Sequence, residues 1–168
     1  MIYFLTKNAL KLAESYIKEK GLPEDVELYM AEKVELKALD LRTMEIVENK
    51  PLFVSIKYKR CLDGLSVIGP GDEIEIAVAK EVLYFSKKWK KLEKVGNISI
   101  LSAKDALENL KAGKIINKPM GIAYPLTVHK IEPGYYAGEK NDFYYPVWIF
   151  HCEDSAGNDL KLAIEALK

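Results

Sequence analysis

Two cysteines in 168 residues, Cys61 and Cys152, are too few for a disulfide scaffold, and they lack metal-ligand spacing. Net charge is missing as well. Twenty-five Lys and Arg offset 25 Asp and Glu, so no global field attracts nucleic acid or an anionic membrane, and any such partner must be read by a local patch. No apolar run approaches the roughly 18 to 20 residues that span a bilayer. The stretch Met1-Ile2-Tyr3-Phe4-Leu5 is also too short for a signal-peptide core, so a soluble chain is expected, with any anchor or signal outside it. A Gly-rich phosphate loop, a zinc-protease helix motif, a CxxC pair and a nucleophile elbow are all lacking, as is any low-complexity tract. No catalytic, cofactor-binding or metal-binding residue is assigned; the expectation is a protein that is not an enzyme and uses no cofactor.

The chain is 49% hydrophobic, enough to bury a real core as one domain or as two fused units. Its pattern repeats. Lys7-Asn8-Ala9-Leu10 opens one amphipathic helix and Lys104-Asp105-Ala106-Leu107 another, and each leads into strands of which one ends in an aromatic-rich run, a cysteine and a glycine turn: Phe53 to Cys61 then Gly64, and Val147 to Cys152 then Gly157. The fold class expected is α+β: two tandem units, 1–95 and 96–168, each a helix packed on an antiparallel sheet.

Thr6 can cap the first helix, Ala9, Leu12, Ala13, Tyr16 and Ile17 share one face, and Gly21 before Pro23 stops it. Between residues 26 and 47 two strands are expected, with 31–41 open to helix because Ala, Glu, Lys and Leu favour it. Val54, Ile56 and Tyr58 alternate with Ser55, Lys57 and Lys59 as a half-buried antiparallel strand, and Ile74, Ile76 and Val78 read as its partner. Ser102 and Asp105 form a capping box for the second helix, which Gly113 closes. Strands follow at 122–131, 144–152 and 160–166, and Pro146 marks the middle one as an edge strand or as beginning there.

The stretch Tyr58-Lys59-Arg60-Cys61-Leu62-Asp63-Gly64, continuing through Gly69 to Glu73-Ile74-Glu75-Ile76 and Val82 to Ser86, resembles PepSY-type domains of protease propeptides and cell-envelope regulators. Ser102 to Leu107, Tyr145 to Phe150 and Leu162 to Ala166 look similar in the second half. A two-unit arrangement resembles the extracytoplasmic two-component regulators of the YycI and YycH type. The resemblance implies a PepSY-like, cystatin-like layout and a non-catalytic regulator or inhibitor. Its partner would be another protein (a protease, sensor kinase or envelope protein), and it would act outside the cytoplasm or from an anchor outside this chain.

Candidate surfaces come from the residues themselves. Tyr135 and Tyr136 lie in a Gly-containing segment, 132–142, read as a loop, where exposed tyrosines make efficient protein-binding anchors; local packing is the alternative. Lys87, Lys88, Trp89, Lys90 and Lys91, with Lys94, form a basic patch whose aromatic could stack a base in a cytoplasmic nucleic-acid module, or else anchor a solvated connector to the core. Nucleic acid is not the favoured partner. His151-Cys152-Glu153-Asp154 alternates between strand faces and needs His129 to make a metal site, and a Cys152 and His129 catalytic pair has no support in spacing. Glu73 and Glu75 share a strand face as a possible carboxylate pair or a solvated edge. Cys61 and Cys152 either bridge, if their strands are neighbours, or stay buried thiols, and Asn97-Ile98-Ser99 is a formal glycosylation sequon.

Overall fold

The computed structural model describes residues 2–21, 23, 25–138 and 143–168, residues 2–6 by backbone alone. The order is α1 (Ile2–Glu19), β1 (Val26–Leu39), β2 (Ile46–Leu62), β3 (Leu65–Ile68), β4 (Glu73–Val78), β5 (Val82–Lys88), α2 (Ala103–Lys111), β6 (Leu126–Ala137), β7 (Tyr144–Asp154) and β8 (Asp159–Glu165). Strands hold about half of the described residues and helices a much smaller share. Hydrogen bonds link the strands in one path, β5-β4-β2-β3-β6-β7-β8, with β1 also on β2.

This corrects the expected fold class of two tandem units, each a helix on its own antiparallel sheet. The eight strands belong to one hydrogen-bonded sheet, and β3 joins β6 in parallel, Val67 beside Tyr135 and Ile68 beside Tyr136. Alternation along a strand reports which face is apolar and says nothing of which strand lies alongside. A four-residue strand that leaves its hairpin for a distant partner is therefore invisible to it.

By compactness the chain divides into a first unit, residues up to 60 together with 73–89, and a second, 61–72 with 90–168. In the first, Ala9 and Ala13 lie one turn apart and fully covered on α1, against Val54, Ile56, Tyr58, Ile74, Ile76 and Val78. Their small side chains let helix and sheet approach closely. The helix begins at Ile2, so Thr6 is inside it rather than at its cap, and the Thr6 side chain lies outside the described ones. Gly21, at φ 62°, ends the helix as expected. The stretch open to helix or strand is strand: β1 is continuous, pairs along β2 with three irregularities in register, and turns back at residues 40–45, where the Asp40 carboxylate accepts the Arg42 N–H at 2.8 Å.

In the second unit, β7 is central between β6 and β8. Phe150 and Cys152 meet Ala106 and Leu110 of α2, while Val147 and Ile149 face the other way toward Ile68, Ile116 and Tyr136. Ser102 caps α2: its hydroxyl accepts the Asp105 N–H at 3.2 Å and donates to the Asp105 carboxylate at 2.7 Å. Gly134 has no room for a side chain, since a Cβ would come within 2.7 Å of the Ser66 carbonyl oxygen. Pro146 sits near the start of β7, where its carbonyl accepts the Ala166 N–H.

Candidate docking surface

The site is built on β2. Strand alternation puts Val54, Ile56 and Tyr58 on one face, and breaks in the register with β1 at Leu52 and at Val47 interrupt that phase in the outer half of the strand. At the inner end this face is core: Val54, Ile56 and Tyr58 are 6%, 0% and 6% exposed beneath α1. Further out the strand is bare, with Ile46 54% and Leu52 44% exposed and Glu48 and Lys50 open to solvent. On β1, Leu36 lies opposite Lys50 and Ala38 opposite Glu48 on one face, and after a break in register Leu39 lies opposite Ile46 on the other. Leu36 is 54% and Leu39 46% exposed. On its other side β2 pairs with β4 only from Val54 to Lys59, so the outer part of the β1–β2 hairpin is a two-stranded arm. Leu41 and Met44 stand exposed at its tip.

A two-stranded ribbon is marginal by itself in water, because neither face has a layer to bury against. Each of Leu36, Leu39, Ile46 and Leu52 would gain on the order of 1 kcal/mol if its exposed half were sheltered. That suits a reversible contact with another apolar surface.

The residues singled out from the sequence occupy other places. Tyr135 and Tyr136 are half-buried in β6, paired with Pro146 and Tyr145, and the Tyr136 ring lies 5.6 Å from that of Tyr145. Of the segment read as a loop, 132–137 are strand and 139–142 lie outside the described residues. Trp89 is half-buried against the core of the first unit, its ring 4.5 Å from the Arg60 guanidinium. Lys87 pairs with Ile74 and Lys88 with Glu73, neighbours on opposite faces, so the strand does not gather them on one surface. The Lys90 N–H donates to the buried Asp72 carboxylate at 2.8 Å, and Lys91 is exposed.

Chemistry-bearing side chains are committed to structure. Glu73 contacts the Lys59 ammonium at 2.9 Å and Lys57 at 3.6 Å, while Glu75 accepts from the Ser55 hydroxyl at 3.2 Å. Burial pushes the Glu73 carboxyl up, yet the two lysines outweigh it and hold it below the usual carboxylate range. Burial raises the Cys152 thiol, which disfavours the reactive thiolate. Both cysteines remain thiols. His151 contacts Glu132 at 2.6 Å and His129 lies 3.9 Å from Glu153, on the strand face opposite Cys152. Asp154 ties the β7–β8 turn, accepting from the N–H groups of Ala156 and Asn158 and from the Asn158 amide. Among the described residues no three His, Cys, Asp or Glu converge as metal ligands, and no helix is long and apolar enough to cross a membrane. A shallow groove of about 390 Å³ beside α1 is lined by Leu12, Tyr16, Glu19, Lys80, Glu81 and Val82.

Sequence reasoning passed over the arm because it stopped the β2 pattern at the Pro51 turn. The signal was only partial, in the apolar residues Ile46, Val47 and Leu52 on either side of the turn reading, because the register breaks at Leu52 and Val47 interrupt the phase of Val54 and Ile56. No family model, curated protein or solved structure matches the chain.

Proposed function

We propose that this chain is a non-catalytic protein-docking module whose binding element is the β1–β2 arm. The observation that carries the reading is the contrast along β2, buried beneath α1 from Val54 inward and bare from Leu52 outward, where Leu36, Leu39, Ile46, Val47 and Leu52 all stand exposed. The partner does for the arm what α1 does for the body, presenting an apolar strand or helix face with charged groups at its margin. Of the PepSY-type resemblance, the proposal keeps the binding role and the lack of catalysis. The nucleic-acid alternative draws less support, because Trp89 is already engaged over Arg60.

A photo-crosslinking benzophenone side chain placed at Leu39 tests this in cells of the source. The expected result is a small number of discrete covalent adducts that fade when Ile46→Ser is added. A chain that yields no adduct on irradiation removes the proposal.

A further inference from the structure

Most strand edges left free by the pairing carry a device that stops a further strand from adding. β5 has an extra residue, Leu83, in its ladder with β4, and the outer part of β6 has an irregularity at His129 and, at Pro133, no N–H. The outer part of β2 contains Pro51 and the extra residues Val47 and Leu52, and β8 is closed by Asn117 and by the Leu101 N–H. The edge of β1 is different. Among the described residues its only neighbouring strand is β2, and from Met30 to Leu39 it runs without proline, glycine or an extra residue of its own, because the breaks in register there fall on β2. About every second residue of such a stretch turns its N–H and C=O away from the existing neighbour, a template for one more strand.

The side chains of β1 say which strand fits. Its own alternation is unbroken, so Lys33, Glu35 and Lys37 share one face and Val34, Leu36 and Ala38 the other. Contacts agree: Lys33 meets Glu35, and the amide of Asn49, which lies opposite Lys37, donates to the Glu35 carboxylate at 2.9 Å. The Lys33 ammonium and the Asn49 amide hold the Glu35 carboxyl below the usual carboxylate range, so the charges along this face run positive, negative, positive at neutral pH.

We infer that the partner of the arm supplies an extended strand that pairs along the free edge of β1, with apolar side chains beside Val34 and Leu36 and an acidic, basic, acidic series beside Lys33, Glu35 and Lys37. The inference rests on the docking reading above and names the element that docks. Main-chain hydrogen bonds hold such a strand, and the alternating charges select it. A second copy of β1 matches fewer charges. Antiparallel pairing about Glu35 sets like charges against each other, and pairing about Val34 or Leu36 leaves one lysine beside an apolar residue.

NMR titration of the isotope-labelled chain tests this with a capped peptide, Thr-Glu-Val-Lys-Val-Glu-Thr, whose pattern reads the same in both directions and so fits either strand orientation. The peptide is expected to bind to saturation and to slow hydrogen exchange at the β1 amides that do not bond β2. Its charge-reversed counterpart, Thr-Lys-Val-Glu-Val-Lys-Thr, should bind about tenfold more weakly or worse, as like charges in register do. The variant K33E/E35K/K37E, first checked for an unchanged circular dichroism melt, should reverse the preference; if it melts differently, the two peptides on the parent decide alone. No saturation by either peptide at millimolar concentration, equal affinity for both, or binding that leaves the β1 amides unprotected each overturns the inference. If that happens while the Leu39 crosslinker still yields adducts, the edge pairing is wrong and the docking reading stands. A crosslinker that attaches to nothing removes both.

Discussion

In the second unit, β7 is covered on both faces, by α2 on one and by Ile68, Ile116 and Tyr136 on the other. In the first, β2 is covered along only its inner half. Element length explains the contrast. The 18 residues of α1 extend about 27 Å, while the 17 residues of β2 reach about 56 Å. Even lying along the strand, one helix of that size cannot roof the other. The second unit also has a short helix, but its connectors complete the cover: Ile115, Ile116 and Ile122 pack on its clusters. They close its edge too. Asn117 accepts the Ala163 N–H at 2.6 Å and donates to the Lys161 carbonyl at 2.8 Å, and the Leu101 N–H donates to Ala166. In a β protein, bare strand is removed by whatever segment happens to reach it, and no described segment reaches the arm.

The largest test of this contrast puts one substitution at two points of one strand face. Ile56→Ser, under α1, should cost about 3–5 kcal/mol, from lost apolar burial and an added buried hydroxyl. Ile46→Ser, on the arm, should change stability by no more than about 0.5 kcal/mol. Urea unfolding monitored by circular dichroism reads both, and similar costs at the two sites would erase the distinction between roofed and bare strand.

A middle-sized effect belongs to the closed edge. Asn117→Ala should cost roughly 1–2 kcal/mol by leaving the Ala163 N–H and the Lys161 carbonyl without this side chain. It should also raise concentration-dependent aggregation, seen by light scattering, because a sheet edge is uncovered. Unchanged solubility and stability would mean that the edge is protected otherwise.

The smallest effect appears only in acid. Hydrogen bonds from the Asn158 side chain and N–H, with those of Ala123 and Ala156, hold the Asp154 carboxyl below its ordinary value. A carboxyl lowered in the folded state stabilises above the unfolded value and loses that contribution as pH falls through the folded one. The parent should therefore exceed Asp154→Asn in stability at neutral pH by a margin that shrinks in acid, measured as thermal midpoints across pH. A margin constant with pH would sever the turn from the titration of this carboxyl.

Much local structure was legible. The α1 face of Ala9 and Ala13, the Ser102 cap, the stops at Gly21 and Gly113 and the alternation of Val54, Ile56 and Tyr58 follow from spacing alone. Spacing could not assign Tyr135 and Tyr136, because the same Gly-containing run suits a loop or a strand until a neighbour supplies hydrogen bonds. Here β3 and β7 supply them. The arm escaped notice for a related reason. Pro51 reads as a turn in isolation, yet within β2 it pairs opposite Glu35 at an irregularity in register and the strand carries on through it.

What this polypeptide's residue order settled by itself is periodicity where it runs unbroken: the two helices, the strands around Val54 and Ile74, and which side of each is apolar, because side-chain direction repeats with backbone geometry over a few residues. Adjacency was left to tertiary structure. Parallel pairing of β3 with β6, and the stopping of α1 short of the outer half of β2, depend on contacts between residues far apart in the chain, which no local repeat encodes.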